Sequence, residues 1–545
     1  MYATSGDRER TAGRLFSEAC AAKKTVEDYW RRMRAYYEGR HDTARQTGSF
    51  LSSIELPWVP AAVPDAYMHV ESQIEPRIPD FEFSGREAED ASRARERERV
   101  VRYVCDISDM ETKNAVNERR LNLYGSAVWK LSVGLGDGGE AEIKIENPSP
   151  ENVFPDPCAA SVDDCEYIAY SYKMSTVKAA RVFAADLERI GTSIDEIIAS
   201  SEKNHGGLSL CADIGGDTVD ITEWWFRQPT GGICQARSAD GHTYVYSYNA
   251  GDIALSIFIC GREVRYIPKF WENSGCNKFP FVIYGKIPSE GSIWGRSEIE
   301  PIIPLIDAAD RQLVFAQLNT AFSASDILLC EENAFSADSF PDNRPGAIWK
   351  LRPGMIDKVS RLGGLSAESE DHYSIVDKYR ALMKETLGNY DFMQGDSATK
   401  VTTATGLALL SDFANKRVSA KSTCKKAGFA RLYRLIDYLA LEVYGKDKLT
   451  AIGVDCDGIA DGVDYMSEYG YVPALDVRVY VGDGLEYSRS FAISALKSLI
   501  ETTVTRDNYP VVREYIRAVQ IPECTALIGE LDKIYSNESE DCSNE

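Results

Sequence analysis

The chain is poor in the residues that most often carry chemistry. Histidine occurs five times in 545 residues (His41, His69, His205, His242, His372), always isolated, which points to packing or surface roles rather than a ligand set or a base. The 13 cysteines are odd in number and form no CxxC pair. That argues against a zinc site or a disulfide frame and for free thiols in a reducing compartment. No GxxxxGK(S/T), no GxGxxG after a strand, no HExxH and no GxSxG is present, so the familiar phosphate loops, zinc-protease helices and nucleophile elbows are missing. No apolar run reaches the length of a membrane span, and MYATSGDRER lacks the apolar core of a signal peptide, which predicts a soluble chain in a cytosol. Positive charge is short as well: 61 Lys and Arg stand against 84 Asp and Glu, a net −23. A protein that grips DNA shows a basic face, so this one is suited at most to letting DNA pass.

What is present is organised around Gly295 to Gly445. The first helix there is expected over Pro304 to Phe322, since proline suits a first helical position and none interrupts the run. It is apolar or small on several sides (Ile306, Ala309, Leu313, Val314, Ala316, Leu318, Ala321, Phe322), with Asp307, Asp310 and Arg311 a short polar interruption. Such a helix needs several neighbours, either within one large domain or in sister copies around a ring. The second, Ala367 to Leu387, spaces Tyr373, Val376, Tyr379, Met383 and Leu387 three and four apart, with Ser366 to cap it and Gly388 to end it. The two are expected to lie antiparallel as a stalk with a loop at its tip. A third, capped by Thr402 or Thr403 and running to Tyr444, would be about 60 Å long, with Gly428 its expected bend.

The remainder reads as mixed α+β. A helix is expected over Gly6 to Gly39, another over Asn114 to Tyr124, and one over Val177 to Asp186, with a second from about Ser193. Strands are expected at SAVWKLSVG, EAEIKIE, CEYIAYSYKM, DITEWWFRQ, HTYVYSYN, DIALSIFICG, REVRYIP, KFPFVIYGK and LDVRVYVG, and short helices follow Ser488. The tail SNESEDCSNE reads as disordered. Asp457 to Glu468 has calcium-loop spacing at four positions, but Ile459 stands where an oxygen ligand is needed, so a Gly/Asp-rich turn is the better reading. Neither metal, cofactor nor catalytic residue is expected.

The segment FPFVIYGKIPSEGSIWGRSEIEPIIPLIDAADRQ resembles tailed-phage portal proteins, the ring at the packaging vertex of the capsid. YYEGRH, LYGSAVWKL, NPSPENVFPDPCA and DFMQGDSATKVTTATGLALL extend the likeness in the family's order. The resemblance implies a portal-type α+β subunit: wing (1–293), stem helix (294–323), clip (324–365), second stem helix (366–390), tunnel loop (391–404), long wing helix with wing completion (405–487), crown (488–536) and acidic tail (537–545).

It further implies a closed ring, usually a dodecamer, passing double-stranded DNA. The implied partners are the terminase large subunit, the major capsid protein and scaffold, and a head-completion adaptor, with no membrane. The implied place is the virion vertex, after assembly in the host bacterial cytoplasm. In the tunnel loop the residues are Met393, Gln394, Gly395, Asp396, Lys400, Thr402 and Thr403. Asp307, Asp310 and Asp391 would be channel-facing acids, and Phe340, Asp342, Asn343, Arg344 and Trp349 clip residues for motor or adaptor. Arg417, Lys421 and Lys425 lie four apart, a basic stripe that is either a solvated face or a contact to DNA phosphates or the next subunit. Two other readings stay open: a vertex or tail ring without DNA passage, and an acidic metal-dependent nuclease.

Overall fold

The structure, a computed structural model, describes residues 4–41, 63–85, 90–136, 139–201, 218–237, 243–324, 327–330, 351–362, 369–387, 404–453, 475–480, 509 and 512–513. The chain divides into two compact units, residues 1–479 and 480–545. The elements below belong to the first, whose last strand ends at the boundary.

In chain order they are α1 (Ser5–Tyr37), α2 (Val63–Ser72), β1 (Asp80–Ser84), α3 (Asp90–Ile107), α4 (Met110–Tyr124), β2 (Ser126–Leu135), β3 (Ala141–Glu146), β4 (Val153–Pro155) and β5 (Tyr167–Ser175). Then come α5 (Thr176–Val182), α6 (Ala184–Ile190), α7 (Ile194–Ser201), β6 (Thr218–Arg227), β7 (Gly232–Arg237), β8 (Thr243–Tyr248), β9 (Ile253–Ile259), β10 (Arg262–Ile267) and β11 (Phe281–Gly285). The last are α8 (Ile303–Ala324), β12 (Ile327–Cys330), β13 (Val359–Leu362), α9 (Ser369–Leu387), α10 (Ala404–Val443), α11 (Lys446–Ala451) and β14 (Asp476–Tyr480). The mixed α/β class expected from the strand and helix patterns is what forms.

Local chemistry accounts for the main boundaries. Thr4 caps α1 by accepting from the Asp7 N–H at 3.2 Å, and the buried face of the helix carries Ala12, Phe16, Ala19, Trp30 and Met33 at helical spacing. Gly125 ends α4 in the left-handed region, φ 82°, which a residue with a Cβ resists. The single helix expected over Val177 to Asp186 is instead two, α5 and α6, broken at Phe183 (φ −105°, ψ 16°). The break sends the Phe183 ring into the core beside Leu187.

Five strands form one antiparallel sheet in the order β10-β9-β6-β5-β4. Alternation along β6 splits its side chains between two cores. Val219, Ile221 and Trp225 join the main core, while Trp224 and Phe226 face the first half of α1 with Ala12, Phe16 and Ala19. A second sheet, β11-β2-β3, carries α10 across it: Trp129 meets Phe429 edge-on, with ring centres 5.9 Å apart. Gly428 permits this approach, because a Cβ there would fall 2.6 Å from the Tyr284 ring; it has a packing role that the expectation of a bend missed.

Beyond the body, β12 pairs with β13 from Ile327–Leu362 to Cys330–Val359. β12 is the stretch ILLC, within the segment 324–365 that the resemblance assigns to the clip. Its partner is Val359–Leu362, a four-residue, half-polar segment too short to show a period. β7, also absent from the sequence reading, pairs with β8. The residues expected in the crown lie outside the described ones except Tyr509, Val512 and Arg513, and the Asp457–Glu468 turn and the acidic tail lie outside entirely.

Candidate functional site: the root of a paired-helix stalk

α8 and α9 lie side by side. The His372 Nδ1, near the start of α9, is 2.8 Å from Gln312 Oε1 midway along α8, while α9 also touches the turn Glu300–Ile302 that precedes α8. Only an antiparallel pair satisfies both contacts. The helices extend into β12 and β13, which close the pair at its far end.

The near end is rooted by three segments distant in sequence. β11 pairs with β2 from Phe281–Lys130 to Gly285–Ser126, so the IYGK and LYGSAVW stretches are neighbouring strands. Where they end, three glycines cross. A Cβ on Gly295 would lie 2.3 Å from the Gly125 carbonyl oxygen and 3.2 Å from the Gly285 Cα, and one on Gly125 would lie 2.3 Å from the Arg296 carbonyl carbon. Ser126 Oγ accepts from the Gly295 N–H at 2.8 Å, and Gly125 O accepts from the Lys286 N–H at 3.3 Å. Lys286 pairs with Glu298, whose other oxygen faces His69 at 3.4 Å.

The end of α1 supplies the third segment. Tyr36 donates to Asp307 at 2.7 Å and stacks on the His41 ring at 4.4 Å; His41 Nε2 lies 2.5 Å from Asp310. Burial, reinforced by the Asp307 carboxylate, pushes the Tyr36 hydroxyl up to about 12. Farther along, Arg380 of α9 bonds Asp65 of α2 at 3.0 Å; burial raises the Asp65 carboxyl although the guanidinium opposes it.

Several sequence assignments change here. Asp310, expected to face a channel, is completely buried against His41, and Asp307 is half-buried and engaged by Tyr36. The reason is periodicity: the two acids are three apart and share the helix face that meets α1. Lys425, expected on a basic stripe, is buried, its Nζ 3.1 Å from Glu75 and 3.2 Å from the fully buried Glu118. It ties α10 into the body and offers no charge to DNA. Arg417 and Lys421 lie on α10, in the part whose side chains are not described. The tunnel-loop residues Met393 to Thr403, Asp391 and the clip residues Phe340, Asp342, Asn343, Arg344 and Trp349 lie outside the described residues.

The apolar side chains of α8 divide. Ile306, Ala309, Val314 and Ala316 are buried within the subunit, but Phe315 is 36 % exposed, and on α9 Tyr373 and Leu382 are 51 % and 45 % exposed. Among the described residues no group of three or more His, Cys, Asp or Glu side chains could hold a metal ion, and no helix is long and apolar enough to cross a membrane.

The family profile of phage P22-like portal proteins matches residues 63–403, from α2 through both stalk helices to the start of α10. The chain belongs to that family. It is a tailed-phage portal protein, and the family is structural rather than enzymatic. No curated protein matches the chain. The rooting residues Tyr36 and His41 fall before the matched span, and nothing in the sequence linked them to Asp307 and Asp310.

Proposed function

We propose that copies of this portal chain close into a dodecameric ring at one capsid vertex, through which double-stranded DNA is packaged and later ejected. The observation that carries the reading is the family match laid over an antiparallel stalk that leaves Phe315, Tyr373 and Leu382 uncovered in the single subunit. Uncovered apolar side chains on a stalk are covered by neighbouring stalks when head-to-tail contacts close. A net charge of −23 keeps the DNA moving, since clustered cations would hold a polymer with a charge about every 1.7 Å.

In this reading α8 and α9 are the stem and β12–β13 belongs to the clip. Phe340, Asp342, Asn343, Arg344 and Trp349 would meet the terminase large subunit and afterwards the head-completion adaptor. The loop Asp391–Thr403 would border the bore, with Met393, Gln394, Gly395, Asp396, Lys400 and Thr402. The body would face the major capsid protein and scaffold, in an assembly formed in the bacterial cytoplasm and carried in the virion. The energy for packaging comes from a separate ATPase.

Negative-stain microscopy with native mass measurement tests the reading. Rings of one dominant stoichiometry with a central hole are expected. A monomer at high concentration, or a solid particle, would refute it.

A further inference from the structure

The most exposed large apolar side chains among the described residues are Val177 at 79 %, Ile233 at 75 % and Val245 at 62 %. They form two patches. Ile233 and Val245 sit on the β7–β8 hairpin, a sheet of two strands joined to no other described strand. The register pairs Ile233 with Ser247 and Gln235 with Val245, which puts both apolar residues on one face. A lone hairpin is marginal in water and needs a surface to pack on. The other patch is α5, where Val182 is also exposed.

The five-stranded sheet sets these patches apart. Thr218, the first residue of β6, pairs with Ser175, which immediately precedes α5. Arg227, the last, pairs with Ile253, and the hairpin is inserted between those two residues. The patches therefore sit at opposite ends of a ten-residue strand, about 30 Å apart. Their charges also differ. α5 carries exposed Lys178 and Arg181 and no acid. At the hairpin end exposed Asp164 and Glu166 carry no cation at ion-pair distance among the described residues, while Asp163 beside them is paired with Lys278 at 4.0 Å and Arg431 at 3.9 Å, Arg227 ends β6, and the Gln228 N–H donates to the Asp252 carbonyl at 2.8 Å.

We propose that the β7–β8 hairpin of one copy packs on α5 of the next copy of this chain, apolar on apolar, with Asp164 and Glu166 at the hairpin base beside Lys178 and Arg181. Two unlike, complementary patches at opposite ends of a subunit are what a head-to-tail contact requires. The inference rests on the ring reading above and names its contact outside the stalk.

A benzoylphenylalanine photo-crosslinker in place of Ile233 tests it on the assembled particle. The expected product has twice the 60.6 kDa chain mass and a crosslinked peptide containing residues 176–182. Rings whose crosslinks stay within one chain, or map elsewhere on the second copy, overturn the contact and leave the ring reading standing; absence of rings in the unsubstituted protein removes both. As a second arm, Ile233→Asp with Val245→Asp is expected to abolish ring formation while the subunit keeps its circular dichroism and melting temperature. Rings that assemble normally from this variant, including rings that then fail only to enter capsids, overturn the contact and assign the hairpin to a different partner.

Discussion

Replacing Gly295 by alanine probes the stalk root directly. The added Cβ would stand 2.3 Å from Gly125 O, 2.9 Å from Ile287 O and 3.2 Å from Gly285 Cα, all backbone atoms. None is the end of a flexible side chain. The Gly125 carbonyl also accepts from Lys286 and the Ile287 carbonyl from Arg296 at 2.9 Å, so opening the crossing by the ~1 Å that a methyl group needs strains two hydrogen bonds. Overpacking of this kind costs about 1–3 kcal/mol, and the rigid surroundings put this case near about 3 kcal/mol. Gly428→Ala meets the buried Tyr284 ring instead, at 2.6 Å, but gains about 1 kcal/mol of helix propensity inside α10, for a net loss of about 1 kcal/mol. Gly6→Ala, with nothing within 4 Å, is the control. Urea denaturation followed by tryptophan fluorescence should rank the variants Gly295, then Gly428, then Gly6, at an unchanged slope. A Gly295→Ala midpoint equal to that of Gly6→Ala would refute the account of the crossing.

Lys425→Met removes the ammonium 3.2 Å from the buried Glu118 and should cost about 3–5 kcal/mol by denaturant midpoint, much of it recovered by adding Glu118→Gln. Lys23 is buried and its amine is held down to about 8, chiefly by desolvation. A folded value below the unfolded one means that the unfolded chain binds the extra proton, so stability rises with pH from about 8 toward the unfolded value. From pH 8 to 9 the wild type should gain about 1 kcal/mol relative to Lys23→Met, before buried thiols and tyrosines reverse the trend; parallel curves would contradict this. Burial pushes Cys20 up to about 11 and Cys105, Cys165 and Cys276 up to about 12, whereas Cys158 is exposed. Of these five cysteines, Cys158 should therefore be alkylated first at pH 8, as peptide mapping can show.

Much of the scaffold was legible in the residues. The stalk helices declared themselves through an uninterrupted apolar run and a stripe at three and four, and the hairpin β2–β3 through alternation around glycines. Short elements were not. β13 has four residues, and the break at Phe183 sits within a stretch that reads as one helix. The fate of the charges was the least legible part. Asp310, Lys425 and His41 look like surface groups in a one-dimensional pattern, because periodicity reports which face a residue occupies and not which partner waits there. His41 and Asp310 are 269 residues apart, and only the fold brings them together. The glycines of LYGSAVW, IYGK and IWGRS were equally silent as separate motifs, although they share one crossing.

Tyr36 and His41 grip α8 at two positions nearly one turn apart. A rod held at a single point can swivel, but one held twice on the same side cannot spin about its axis. The N-terminal helix thus sets the azimuth of the stalk and decides which way Phe315 points. A substitution at the end of α1 would change how the molecule presents itself to its surroundings without touching any residue on that outer surface.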